Sequence, residues 1–281
     1  MKKLSLIIGL VAITLWAMAQ RNLVRPEDVK AFMASTTYVV LENNPTSEFN
    51  IEIREAVERS WKITPYKFIT AKEFNDMRKD IDKSFLVLIQ MRFDKDKIAP
   101  TYNFLSVSMG AAVSKITDMP DICSVPLSYK DLPDDTYTYK LEGIIRFMQN
   151  YINAINDNPK LIKKDAFKFY NKNMKQIKSK ELWVTESALE KNVRPLAEIR
   201  KVYKFNIKVV NPEDIQKAIL EKNPNVLYLH KVGPEGSRLQ WRVWKMILGA
   251  GDDQLYYFDM HTISKSKGDG FLAKDFAKIN K

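Results

Sequence analysis

The amino-acid sequence predicts an α/β protein, with an α+β arrangement as the alternative, made of two related halves that a helical connector joins. Two observations carry this prediction. Short apolar, β-branched runs alternate with stretches of helical hydrophobic period, and the order β-α-β-α-β-β occurs twice. Each occurrence ends at a Gly-Ala pair, first Gly110-Ala111 and then Gly249-Ala250. We therefore expect two halves with mixed sheets, each followed by one more β-rich stretch.

The first half is assigned to residues 20–133. Its turn signals are strongest at Asn43-Asn44-Pro45-Thr46-Ser47, which separates a β-branched run from a helical stripe. Strands are predicted at 37–42, 66–70, 85–93, 102–109 and 122–127, and helices at 49–61 and 71–78.

The second half is assigned to residues 181–281 and repeats the order. Asn211 is expected to cap a helix that has Pro212 at its first position. Gly233-Pro234-Glu235-Gly236 predicts a hairpin loop between two of the strands. Strands are predicted at 181–185, 205–210, 226–231, 239–248 and 254–263, and helices at 212–222 and in a segment that ends at 198–203.

Residues 134–180 form the predicted connector. Apolar residues recur on one face of 137–156 at the period of an α-helix, and Asn158-Pro159 then ends that helix. Residues 160–180 carry eight lysines against one acidic residue, Asp165, with aromatic residues between them. This composition favours a surface for a negatively charged partner, with these candidate contacts: Lys163, Lys164, Lys168 and Lys172. The alternative is a second helix whose aromatic side chains pack inward while the lysines stay solvated.

Residues 1–19 are typical of a cleavable export signal. Lys2 and Lys3 precede an apolar run that ends at the small-residue site Ala17-Met18-Ala19. That run is too short to span a bilayer, which takes roughly 20 apolar residues, and no later run is long enough. We therefore expect a mature chain without a transmembrane segment, located in the periplasm, with the extracellular space as the alternative.

The net charge of the whole chain is +11, and removal of Lys2 and Lys3 with the signal lowers it to +9. Nucleic acid is an improbable partner outside the cytoplasm. Anionic lipid headgroups, lipopolysaccharide and acidic glycans are the polyanions that an exported protein meets. The alternative is that the excess of basic residues only keeps the protein soluble.

Residues with catalytic chemistry are sparse. The chain has two histidines and one cysteine, which excludes a metal site built mainly of these residues, and no cofactor motif occurs. Cys123 lies in a predicted strand and is interpreted as a buried, inert thiol. Asp259 and His261 are two apart on a predicted strand and so share a face, where they could act as orienting carboxylate and base. No convincing nucleophile accompanies them, and a surface Asp and His at a strand end is the plainer interpretation.

Two loops are candidate anion sites. Asn43, Thr46 and Ser47 lie between a strand and a helix, where free amide groups could hold an anion, although the same residues make an ordinary helix cap. The loop 265–270 (Lys-Ser-Lys-Gly-Asp-Gly) could contact a phosphate, although its composition is also that of a plain turn.

A resemblance rests on residues 37–70, where Asn43-Asn44-Pro45 leads into a helix and 63–69 (ITPYKFI) forms the returning strand. This run resembles exported proteins of unknown function from bacteria of the Bacteroides kind. Its element order is also similar to the N-terminal domain of the Tol-system β-propeller protein and to envelope lipoproteins that regulate cell-wall synthases. The resemblance implies binding or scaffolding in the envelope without catalysis. The chain departs from these proteins because it lacks a lipidated cysteine and a propeller.

The function expected from the sequence is therefore that of an exported, non-catalytic binding or scaffolding protein of the cell envelope. Its partner would be a protein or an anionic envelope component. The alternative is a hydrolase that acts on an envelope substrate through Asp259 and His261. A structural subunit of a larger surface assembly is a third possibility, and the sequence does not define the oligomeric state.

Overall fold

The computed structural model describes residues 24–93, 96, 98, 100–163, 169–236 and 238–280. The predicted export signal lies outside these residues. Within them the chain folds into two five-stranded mixed sheets with helices on their faces. None of the described helices is long and apolar enough to cross a membrane.

The first sheet has the strand order β2-β1-β3-β4-β5. β1 pairs in parallel with β2 and β3, and the remaining pairs are antiparallel. Its strands are β1 (Thr37–Leu41), β2 (Tyr66–Thr70), β3 (Ser84–Met91), β4 (Tyr102–Met109) and β5 (Asp121–Tyr129). The helices of this half are α1 (Pro26–Ala34), α2 (Glu48–Ser60) and α3 (Ala71–Met77). Thr70 and Glu73 form a capping box, which explains why α3 begins directly where β2 ends.

The second sheet has the order β10-β9-β8-β6-β7, again with one strand, β6, parallel to both of its neighbours. Its strands are β6 (Glu181–Val184), β7 (Ile207–Val209), β8 (Val226–Val232), β9 (Arg242–Gly249) and β10 (Leu255–Thr262). The helices of this half are α5 (Leu196–Val202), α6 (Pro212–Leu220) and α7 (Ala273–Ile279). Between the halves lies the longest helix of the described residues, α4 (Leu141–Asp157).

The prediction of two related α/β halves with mixed sheets is confirmed. Strand for strand, β6 corresponds to β1, β7 to β2, and β8, β9 and β10 to β3, β4 and β5, with the same parallel and antiparallel pairs. The predicted connector helix is α4, whose apolar face is buried in a core that both halves share. Ile144, Ile145 and Met148 are fully buried there, because the helix lies between the two sheets.

The two halves turn non-equivalent faces toward this shared core. In the first half the helix between the first two strands, α2, packs inward through Ile53 and Val57. In the second half the helix in the same topological place, α5, packs on a separate outer cluster through Ile199. Here the next helix, α6, packs inward through Ile215 and Ile219.

Several predicted boundaries differ from the structure. The strand predicted from 239 begins only at Arg242, because Gln240 has a left-handed backbone (φ 70°) that interrupts extended structure. The helices α1 and α7 were not predicted. The described part of 160–180 contains short 3₁₀ turns, Pro159–Lys163 and Met174–Ser179, and of its apolar residues Ile177 is fully buried.

Candidate functional site: a basic cleft in the second half

A cleft of about 830 Å³ opens on the second half, beside the N-terminus of α7. Three segments line it: residues 187–194 after β6, the turn around Glu235 and Leu239 after β8, and residues 263–274 after β10. These segments are far apart in the sequence, and the sheet brings them to one edge. We call this cavity the basic cleft.

Five exposed cationic side chains line the basic cleft. They are Lys191, Arg194, Lys265, Lys267 and Lys274. Among the ion pairs of the described residues none involves any of the five, and the Arg194 side chain instead donates from Nε to the Leu189 carbonyl at 3.3 Å. Their charges are therefore free to act on a ligand.

Three carboxylates also line the cleft, but they do not balance the cations. Asp269 is already paired with Lys231, whose Nζ lies 3.1 Å from its carboxylate, and the Lys231 and Asp269 side chains are 4% and 11% exposed. Glu190 accepts hydrogen bonds from the backbone and side chain of Asn192. Glu235 is exposed at the rim. The cleft thus carries a net positive potential, which concentrates anions near it.

Part of the cleft wall is apolar. Leu239 is 50% exposed, while Ile263 and Leu272, which also line the cleft, are buried. A leucine left open to solvent next to lysines offers a ligand both an apolar contact and cations.

Main-chain hydrogen bonds join the two loops that carry the cations, residues 187–194 and 263–274. We call these segments the two cationic loops. Phe271 donates its amide to the Ala188 carbonyl at 2.9 Å, and Glu190 donates to the Phe271 carbonyl at 3.1 Å. Gly270 makes this approach feasible, since a Cβ on it would lie 2.3 Å from the Glu190 nitrogen and its φ is +116°. These bonds hold the segment that carries Lys191 next to the segment that carries Lys267 and Lys274.

A buried ion pair anchors the helix that carries Lys274, one of the residues that line the cleft. Lys245 on β9 and Asp275 on α7 are 0% and 1% exposed, and Lys245 Nζ lies 2.7 Å from both carboxylate oxygens. Asp275 also accepts from the Leu272 amide and the Tyr257 hydroxyl. Burial lowers the pKa of Lys245, although Asp275 opposes this effect. These bonds fix the N-terminus of α7, and with it Lys274, against the sheet.

Asp259 and His261 lie on the same strand, β10, but in separate hydrogen-bond networks. His261 Nε2 is 2.8 Å from the Gly268 carbonyl, so it donates there, and Nδ1 has no partner among the described residues. Burial lowers the pKa of His261. Asp259 binds the Met260 amide, the Tyr257 hydroxyl and Lys278. No hydrogen bond of the described residues joins Asp259 to His261, and the pair stays a sequence-based hypothesis.

The candidate anion site at the start of α2 is occupied by the protein's own groups. Ser47 caps the helix, with its Oγ 3.2 Å from the Asn50 amide, and the Thr46 amide and hydroxyl both donate to the Asn44 side chain. The Phe49 amide faces the Asp134 carboxylate at 3.4 Å. The segment therefore acts as a helix cap, and Asn43 is exposed beside it.

Of the candidate lysines in the connector, Lys164, Lys168 and the side chain of Lys163 lie outside the described residues. Lys172 is exposed, and its Nζ lies 4.6 Å from the centroid of the Phe169 ring. Phe169 packs edge-on against Tyr151 of α4. The described aromatic residues of this segment thus pack inward, while Lys172 faces solvent.

Cys123 is a free, buried cysteine on β5, as predicted. Burial raises the pKa of its thiol, which keeps it protonated and unreactive at neutral pH. It borders an apolar cavity of about 270 Å³ between β5 and α4, lined also by Phe147, Tyr151 and Trp244. Across the described residues there is no group of three or more His, Cys, Asp or Glu side chains that could hold a metal ion.

Comparisons of the chain with protein-family models, with curated proteins and with solved structures find no match. The case for a function therefore depends on the chain's own geometry. Sequence reasoning identified the 265–270 loop but missed Lys191, Arg194 and Lys274, because nothing local marks them. What brings these residues to the cleft is the β-bridge between Leu189 and Phe271, which exists only in the folded chain.

Proposed function

We propose that this chain is an exported, non-catalytic binding protein of the cell envelope whose basic cleft receives the phosphate-bearing headgroup of an anionic lipid. The observation that carries the proposal is the set of five exposed cations around one cavity, none of them in an ion pair of the described residues. The five cations come from two segments far apart in the sequence, 187–194 and 263–274, and lysines scattered at random over the surface would not converge in this way. Convergence on a concave surface is what a binding site for an anion requires.

Electrostatics supports an anionic ligand. Unpaired exposed cations attract an anion over about 8–10 Å at physiological ionic strength, and several within that distance act together. Arg194 can bind a phosphate with two parallel hydrogen bonds, whereas the lysines contribute point charges. The positive net charge of the whole chain, +11 with the signal, adds long-range attraction to an anionic surface.

The apolar wall favours a lipid over an acidic glycan. Leu239 is half exposed inside a cationic rim, and a glycan would gain little from contact with it. A lipid headgroup brings the beginning of an acyl chain, which Leu239 can contact while the phosphate meets Lys265 or Lys267. This pairing of apolar and cationic contacts is the one that interfacial proteins use.

The test is sedimentation of the mature protein, residues 20–281, with vesicles. Neutral phosphatidylcholine vesicles are compared with vesicles that contain phosphatidylglycerol. The cleft variant is Lys265→Gln/Lys267→Gln/Lys274→Gln. The matched control is Lys62→Gln/Lys67→Gln/Lys79→Gln, which removes the same charge from exposed lysines of the first half that form no ion pair with described residues.

We expect binding to the anionic vesicles only, and at least a tenfold loss in the cleft variant against a small loss in the control. Equal losses in both variants would mean that net charge, not the cleft, drives binding. Dextran sulfate serves as a lipid-free polyanion. If it displaces the protein from vesicles in a cleft-dependent way at low concentration, the ligand is a polyanion without lipid and the lipid assignment is wrong.

A further inference from the structure

A small niche lies beside the basic cleft, where the two halves meet. Its volume is about 20 Å³, which is room for a single water-sized particle. Ser128 of the first half, Thr136 of the connector, and Thr185 and Ser187 of the second half line it. Ser187 and Glu235 border both the niche and the basic cleft, so the two cavities adjoin.

Lys140 also lines this niche, and it is only 3% exposed. Its Nζ lies 4.4 Å from the centroid of the Tyr139 ring. Among the described residues no carboxylate pairs with this ammonium group and no hydrogen bond of it occurs. Its situation differs from that of the other buried lysines, because Lys231 is paired with Asp269 and Lys245 with Asp275.

Holding an ammonium group where few water molecules reach it and no carboxylate pairs with it has a cost, which an anion beside it would offset. Its position increases the cost, since Lys140 is the N-cap residue of α4 and the N-terminus of a helix carries partial positive charge. The second lysine of the niche, Lys231, pairs with Oδ2 of Asp269, whereas Oδ1 of Asp269 has no hydrogen-bond partner among the described residues. Glu235, the acidic residue that lines the niche, is exposed to solvent.

The hydroxyl groups around the niche can donate to an anion. The hydroxyls of Thr185 and Ser187 lie 3.2 Å apart, and since one donates to the other, one hydrogen of the pair is free. Ser128 Oγ accepts from Asn103, which leaves its own hydrogen available. Hydroxyl donors next to a buried cation provide what a small anion needs in place of its water shell.

We propose that the niche binds one monatomic anion, chloride under physiological conditions, between Lys140 and the hydroxyls of Ser128, Thr185 and Ser187. A halide ion matches both the small volume and the missing negative charge, whereas a neutral water would leave Lys140 uncompensated. The bound ion would connect the N-terminus of α4 and β5 to the loop after β6. It therefore stabilises the contact between the two halves, and it does so independently of any ligand in the basic cleft.

The first test is thermal unfolding of the mature protein at constant ionic strength, with sodium gluconate replaced stepwise by sodium chloride. We expect Tm to rise by about 3 °C or more between 1 and 150 mM chloride, following the saturation that a single site produces. Bromide should act in the same way. A Tm that does not depend on the replacement of gluconate by chloride would overturn the proposal.

Variants distinguish an anion-binding role of Lys140 from a role in packing alone. Lys140→Met removes the charge but keeps the length of the side chain, so its Tm without chloride should be higher than wild type and should no longer respond to chloride. If Lys140→Met is less stable and still responds, the ion binds elsewhere. Glu235→Gln tests whether that carboxylate supplies the counter-charge instead. The chloride response of the wild type should persist in this variant. If the wild type shows no response and Glu235→Gln does, Glu235 supplies the counter-charge and the proposal is wrong.

A crystal soaked in sodium bromide gives the direct observation. An anomalous peak within hydrogen-bond distance of Lys140 Nζ and Ser128 is expected in the wild type, and none in Lys140→Met. Bromide found only on surface lysines would contradict the site.

Discussion

Lys245 on β9 and Asp275 on α7 form an ion pair that is closed off from solvent, with Nζ 2.7 Å from each carboxylate oxygen. It joins the sheet of the second half to the helix that carries Lys274 into the basic cleft. Because Tyr257 and the Leu272 amide also bind Asp275, every strong acceptor site of this carboxylate is used. The pair therefore specifies where α7 docks, whether or not it adds net stability.

Removal of one partner of this pair should be strongly destabilising. Asp275→Asn leaves Lys245 buried without a counter-charge, and we expect the free energy of unfolding to fall by about 3–5 kcal/mol. The double variant Lys245→Met/Asp275→Leu removes both charges and should recover most of this loss. Urea unfolding measures both. Lys278→Met, which removes an ion pair with a largely exposed lysine, is the control and should cost less than about 1 kcal/mol. An Asp275→Asn variant as stable as this control would contradict the argument.

Arg146 should be the most sensitive position of the central helix. Its guanidinium binds Glu142, Asp253 and the Ile219 and Ala250 carbonyls, so it holds α4 to the second half. Arg146→Leu leaves the largely buried Asp253 carboxylate without its ion-pair partner, while Glu142 keeps Arg59, and we expect a loss of about 3–5 kcal/mol in urea unfolding.

Arg59 offers the matched control for this position. It also pairs with Glu142, but its side chain is 43% exposed, and Arg59→Leu should cost about 1 kcal/mol or less. Equal losses at the two positions would indicate that the fixed contact between α4 and the second half contributes nothing.

His230 should make the protein acid-sensitive. It is fully buried on β8 and donates from Nε2 to the Pro126 carbonyl at 2.8 Å, and burial lowers its pKa from 6.5 to about 3. Between these pH values the unfolded chain binds a proton that the folded chain does not. Stability should therefore fall as pH decreases from 6.5 toward 3, with a slope of up to about 1.4 kcal/mol per pH unit from this residue.

Asp253 opposes this effect in part, because burial raises its pKa from 3.8 to about 6 and the folded state then holds the extra proton. His230→Gln keeps a hydrogen-bond donor and isolates the histidine. Urea unfolding at pH 8, 6 and 4.5 should show a shallower acid loss in this variant than in the wild type. Parallel pH profiles would assign the acid sensitivity to other groups.

Gly270 and Gly236 offer a matched pair at the basic cleft. Both have a positive φ, +116° and +130°, so alanine strains the backbone at either position. A Cβ on Gly236 meets nothing within 4 Å, whereas one on Gly270 meets the Glu190 backbone. Gly270→Ala should therefore separate the two cationic loops and reduce binding to anionic vesicles several-fold. Gly236→Ala should lose stability but retain binding, and equal binding by both variants would show that the bridge does not shape the cleft.

Much of the fold could be predicted from the sequence, because local patterns determine it. The run 66–70 (YKFIT) alternates like a strand, and it matches β2 residue for residue. The helix stripe at 141–155 is the buried face of α4. The short helix α7 could not be predicted in the same way, since its seven residues depend on tertiary contacts such as the buried Asp275.

The candidate sites were harder to predict than the fold. Asn43, Thr46 and Ser47 have the composition of an anion site and of a helix cap, and only the position of Asp134 shows that the amides are taken. Lys191 and Lys274 are ordinary surface residues in the sequence. They become part of one cleft because a main-chain bridge joins segments about 80 residues apart. Sequence patterns report on residues that are close together in the sequence, whereas this site is formed by residues that only the fold brings together.

The non-equivalent packing of the two halves has a consequence for their symmetry. A two-fold dimer uses the same patch on both partners. Here the face of the first half that carries α2 meets the face of the second half that carries α6. The helix that corresponds to α2 in the second half is α5, and the face that carries it stays on the outside. The halves are thus related head to tail, as neighbouring members of an open chain of repeats are. The face that carries α5 in the second half is the one on which a third such unit would stack.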